Sequence, residues 1–162
     1  MVTAAPDSLA ALILRLFNHL AAADALAYGE VAGMEPLGDS RRRSQAIYSH
    51  LAAVEHTWLA RLLGRAPAYA LWPDLSLDAA RALAEDSAQG FLSQIAVPGW
   101  LDESATYANS AGERFSNRVS DVLAHVALHG SYHRGQLALL ARQGSSTPAI
   151  TDYIAYLREK GA

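Results

Sequence analysis

The sequence predicts an all-α protein: a four-helix bundle with a small β-hairpin before the fourth helix and a short C-terminal helix. Three observations carry that expectation. Apolar residues recur at the three- and four-residue spacing of a helix over most of four long stretches, the third being largely alanine. Proline, glycine and small polar residues separate those stretches. Between Asp102 and Asn117 the helical pattern lapses around an Asn-Ser-Ala-Gly turn.

The first helix is expected to begin after Pro6-Asp7-Ser8, a capping sequence, and to bury Leu9, Leu12, Ile13, Leu16, Phe17 and Leu20 as one stripe. It fades near Tyr28-Gly29, and Gly33, Pro36 and Gly38 mark a loop. The second runs from Asp39-Ser40 to Gly64 with Ile47, Leu51, Val54, Trp58 and Leu62 on one side. Pro67 and Pro73 bound the next loop, and an alanine-rich third helix opens at Ser76 or Asp78 and stops before Pro98-Gly99. Thr106–Ala108 and Arg114–Ser116 flank Asn109-Ser110-Ala111-Gly112 as a hairpin. The fourth helix is expected to start at Ser116 or Asn117 and to reach Arg142. Gly144 to Pro148 break it, and a last helix covers Asp152–Glu159. With no repeat and no linker, residues 1–162 read as a single domain.

Composition narrows the function classes. Hydrophobic residues make up 51% and charged residues 18%, a globular balance. A formal net charge of −3 gives no footprint for nucleic acid, and the short Arg41-Arg42-Arg43 cluster reads as a solvated helix end. There is no cysteine, so a metal would be held by nitrogen and oxygen ligands. The apolar run from Leu9 to Leu20 lacks a basic n-region and is interrupted by Arg15 and Asn18-His19. It reads as an amphipathic helix without a membrane role, and the expected location is cytoplasmic.

Six histidines stand at 19, 50, 56, 125, 129 and 133. His125, His129 and His133 are four apart, one above another on a helix, and two imidazoles so spaced are able to share one ion. Spacing alone leaves two such pairs. Helical phase selects between them: with His129 at zero and about 100° per residue, Val119, Val122, Val126, Leu137 and Leu140 define an apolar arc centred near +60°. His133 then falls at about +40° and His125 at about −40°, so 129/133 points inward and His125 lies at the rim.

A third ligand has to come from another helix. His50 lies about 80° from the centre of its helix's apolar stripe and His19 about 90° from its own, so phase alone separates them narrowly. His56 falls on the opposite side of the second helix, facing solvent. Glu55 is about 140° from His50 and does not face the same ion. Gln136, at about −20°, reads equally as a support for a metal-bound ring or as a polar residue at the bundle rim. Arg134 lies on the far side of His133, placed to meet a carboxylate or a partner chain. Glu113 and Asp121 read as hairpin and cap residues.

These segments resemble a known family. HVALHGSYHRGQL (125–137) is similar to the last signature helix of the DinB/YfiT-like superfamily of metalloenzymes, and SHLAAVEHTWL (49–59) to its second helix, a histidine followed by Trp eight positions on. The hairpin and the terminal helix with Asp152 and Tyr156-Leu157 also fit. The first helix resembles the family only loosely, with Leu20 and Ala22 where members often carry Trp and Asn. The resemblance implies a four-helix bundle in the family's topology and a metal held by His50, His129 and His133. It implies one divalent ion, zinc or nickel, and frequent homodimers. It further implies reactions in which a low-molecular-weight thiol serves as cosubstrate, as in the superfamily's S-transferases. Three imidazoles leave a coordination position free, which points to a transferase or hydrolase acting on a small electrophilic substrate. The alternative is a non-catalytic metal-binding stress-response protein, which a fourth protein ligand would favour.

Overall fold

The computed structural model describes residues 8–109 and 111–161. Pro6, Asp7 and Ser110, which belong to the expected cap and turn, lie outside the described residues. Helix α1 spans Leu9–Ala32, α2 Asp39–Leu62, α3 Leu77–Ile95, α4 Val119–Gln143 and α5 Tyr153–Glu159. A 3₁₀ turn at Trp100–Asp102 leads into β1 (Ser104–Ala108) and β2 (Arg114–Arg118).

Each start has a local cause. The Ser8 Oγ accepts the Ala11 N–H and the Ser76 Oγ accepts the Ala79 N–H, satisfying donors that the first helical turn leaves unpaired. α1 continues through Gly29 to Ala32 before Gly33 caps it, one turn beyond the expected fade. The hairpin is longer than expected. Ser116 pairs with Thr106 and Asn117 with Ala105, so both belong to β2 and α4 opens at Val119. Their backbone bonds are taken up by the ladder, which is why neither starts the helix. At the turn, Asn109 Oδ1 accepts from Ala111 N and Glu113 N, and Gly112 takes φ +82°, a region costly for residues with a side chain.

α1 packs against α3 and α4, and α2 packs against the same two helices. α1 and α2 therefore occupy opposite corners of the bundle. The short hairpin lies against the far end of α2 through β1. α1 is long and apolar enough to cross a membrane by length and composition, with a mean hydropathy of 1.5 over its most apolar window. In the fold its Phe17, Leu20, Ala27 and Val31 are core residues. Leu9 and Leu12, expected in that stripe, are exposed at the helix's first turns.

The apolar interior falls into two clusters. One gathers Phe17, Leu20, Leu59, Phe91, Trp100, Leu123 and Val126 near the hairpin. The other gathers Val31, Tyr48, Leu77, Leu83 and Leu137 toward the opposite end. Burying each of these larger side chains contributes about 1.5–3 kcal/mol. On every long helix the sequence positions between the two clusters carry buried polar groups: Asp24 on α1, Glu55 on α2, Ser87 on α3 and Arg134 on α4. α2 is buried almost all round from Tyr48 to Ala60, because the 64–76 loop covers the face that α3 and α4 leave free.

Candidate metal centre

α4 presents His129 and His133 on adjacent turns, and α2 brings His50 against them. The His129 and His133 Nε2 atoms lie 3.1 Å apart. Ring centroids are separated by 4.4 Å for 129/133, 4.7 Å for 50/133 and 5.5 Å for 50/129. One ring nitrogen of each lies within 4.8 Å of the other two, near enough that a small inward shift lets all three share an ion at roughly 2.0–2.1 Å.

Two rings are held from behind. His50 Nδ1–H donates to the Leu71 carbonyl at 2.6 Å, and the ring stacks on Trp72 at 3.8 Å with planes 8° apart. His133 Nδ1–H donates to Gln136 Oε1 at 2.8 Å, so Gln136 holds this ring from behind. Each bond fixes a tautomer and leaves the Nε2 lone pair for a ligand, as support groups around metal-bound histidines do. Burial pushes the His129 imidazole down to about 4, with His133, His50 and His125 adding to the effect. Burial also lowers His50, against the raising effect of its bond to Leu71. Both rings are therefore neutral near pH 7, the form a cation binds.

The other histidines go elsewhere. His19 is buried, but its Nε2–H donates to the Thr151 carbonyl at 2.9 Å and its ring meets Tyr153 and Tyr156 of α5. The fold therefore brings His50, and not His19, to the α4 pair. His125 stands against Trp58, at the edge of the cluster. His56 is half-buried, not solvent-facing: it accepts the Ala68 N–H and packs on Tyr69, because the 64–76 loop folds over it.

Beside the histidines lies a cluster the sequence reading did not assemble. Arg134 donates to Asp24 Oδ1 at 2.7 Å, and both residues are 3% exposed. Glu55, 1% exposed, adjoins Asp24. Burial raises both carboxyls, Glu55 well above its ordinary range, because the guanidinium bonds Asp24 and leaves Glu55 as the proton holder. Gly130 makes the space: a Cβ there would sit 2.8 Å from Arg134 Nη1. A signal for Asp24 did exist, since it falls within about 60° of Ile13, Phe17, Leu20, Ala27 and Val31 on α1. An ionisable residue in the middle of an apolar stripe calls for a buried partner. Arg134 was expected to meet a carboxylate or another chain; it meets the carboxylate.

The fold and the three histidines define a class: a helical bundle that sets three imidazoles from two helices around one point, able to hold a metal ion. The chain belongs to the DinB family, whose family model matches residues 37–161, a span that begins after α1 and includes all three histidines. Protein DinB of Bacillus subtilis (strain 168) is 37% identical over 57 residues. That alignment covers 35% of this chain and 33% of the relative's length.

Proposed function

We propose that this protein is a metal-dependent enzyme whose single divalent ion, zinc or nickel, is held by His50, His129 and His133. The observation that carries the reading is the convergence of three imidazoles with two tautomers already fixed, with no carboxylate joining them among the described residues. Structural metal sites saturate their coordination with protein ligands, whereas catalytic ones keep a position free. Such an ion supplies Lewis acidity, lowering the pKa of an incoming thiol or water.

The chain's own residues do the rest. Gln136 and the Leu71 carbonyl orient two of the rings, and Trp72, 61% exposed, offers an aromatic wall beside His50 for a small substrate. With no cysteine in the sequence, a thiol nucleophile has to be a separate small molecule. The reaction class proposed is therefore transfer of a small thiol, or hydrolysis, at an electrophilic substrate. Cobalt-substituted protein titrated with 2-mercaptoethanol tests this. A thiolate-to-cobalt absorption band that disappears in His133→Ala is the expected result. No band with any small thiol would favour the non-catalytic metal-binding protein instead.

Residues 1–162 are proposed to act as one domain and as a homodimer. Leu128, Tyr132 and Leu139 are 72%, 66% and 55% exposed and lie within about 40° on one face of α4, an apolar strip that a second copy would cover. Sedimentation at micromolar concentration, with Leu128→Lys as the disrupting variant, checks that assembly.

A further inference from the structure

One turn along α4 from His129, the helix, α2 and the hairpin enclose a cleft of about 290 Å³. It is lined by Trp58, Tyr107, Asn117, Asp121, Val122 and His125. Its walls are aromatic: the Tyr107 ring stands 5.0 Å from Trp58, edge-on, and the His125 ring 5.3 Å from it. Tyr107 is fixed by its hydroxyl, which donates to Asn117 Oδ1 at 2.7 Å. His125 links the cleft to the metal centre, its ring lying 5.9 Å from that of His129.

Asp121 is the one acidic residue lining the cleft, and among the described residues no hydrogen bond or ion pair engages it. The Arg61 guanidinium sits 4.8 Å from the Trp58 centroid and 5.4 Å from that of Tyr107, so both rings already accept a cation, and a ligand's charge is left to Asp121 on the cleft side. An unpaired carboxylate beside electron-rich rings favours a positively charged group over a neutral or anionic one.

The geometry points to a binding subsite for a small organic ammonium, with the charged nitrogen at Asp121 and the body of the molecule against Trp58 and Tyr107. A ligand seated this way reaches past His125 toward His129, so the nucleophile or substrate of the reaction carries a primary amine. That placement at the metal rests on the function proposed above. The ammonium subsite does not.

The full chain as purified is titrated with benzylamine, benzyl alcohol and benzoate near pH 7. The readout is the indole N–H resonance of Trp58, identified among the three tryptophans by its loss in Trp58→Phe. Benzylamine is expected to shift it at concentrations about tenfold lower than the other two, the ratio for one charge-assisted hydrogen bond. Asp121→Asn should remove that preference while leaving benzyl alcohol binding and the helical circular dichroism unchanged. Equal binding of all three compounds, tighter binding of benzoate through Arg61, or no movement of Trp58 would each overturn the subsite.

A second arm links it to the metal. Cobalt protein should give its thiolate band at lower cysteamine than 2-mercaptoethanol, and Asp121→Asn should equalise them. If benzylamine shifts Trp58 but no thiol produces a band, the subsite stands and the metal–thiol reading falls. If both thiols give the band equally while Trp58 is unmoved by benzylamine, the reverse holds.

Discussion

Arg134 and Asp24 form a fully enclosed ion pair, 2.7 Å from Nη1 to Oδ1, that joins α4 to α1 one residue along from His133. The pair lies between two apolar clusters, where neither group has water to fall back on. Asp24→Asn or Arg134→Met leaves one charge buried without its partner, which costs about 3–5 kcal/mol. Chemical denaturation measures it. The Asp24→Asn/Arg134→Met double variant is expected to lose less than the sum of the single losses, since it strands no charge.

Glu55 gives the protein a pH dependence whose sign follows from its neighbours. Its carboxyl is raised well above 4.5 in the fold, chiefly by burial and then by Asp24. An acid raised on folding contributes stability that is complete below its unfolded pKa and is lost as pH climbs toward the folded value. Glu55→Gln keeps the shape and a donor for Asp24 but has no proton to lose. The variant's stability relative to wild type should therefore rise from pH 5 to pH 8, by denaturant midpoints at several pH values. A pH-independent difference would place the proton elsewhere.

Metal content separates the histidines. Protein purified with His50→Ala, His129→Ala or His133→Ala is expected to fall well below about one ion per chain. His125→Ala, His56→Ala and His19→Ala should stay near wild type by elemental analysis. Full content in either α4 ligand variant would refute the assignment. Gln136→Ala should weaken metal affinity about 10–100-fold without abolishing it, as loss of a ring-orienting partner does.

Removing the metal should leave the bundle standing. Two apolar clusters form the core without the ion, unlike a zinc finger. Chelation is expected to preserve the helical far-ultraviolet spectrum. An ion present at a hundred times its Kd adds about 2.7 kcal/mol. For a chain of this length that lowers Tm by roughly 5–10 °C on removal. Collapse to coil would show that the core depends on the ion.

Much of this was determined by the sequence itself. Helical phase reads the side of α4 on which His129 and His133 face, because that side is set by 3.6-residue geometry within one element. Capping serines and the Asn109–Gly112 turn act on their own neighbours, so the helix starts and the hairpin are equally local. Tertiary structure decided the rest. His19 and His50 are near-equals in phase, and only the docking of α5 on one and of α4 on the other separates them. The 64–76 loop buries His56 and places Leu71 and Trp72 on His50, contacts that no periodic pattern announces. Asp24 could be seen in an apolar stripe, yet its partner stands 110 residues away. The Glu55 carboxyl is raised because the packed helices bury it and α1 brings the Asp24 carboxylate beside it, outweighing the Arg134 guanidinium of α4. Each of those outcomes depends on distances between helices, and a single strand of sequence carries the phase of a helix but not its neighbours.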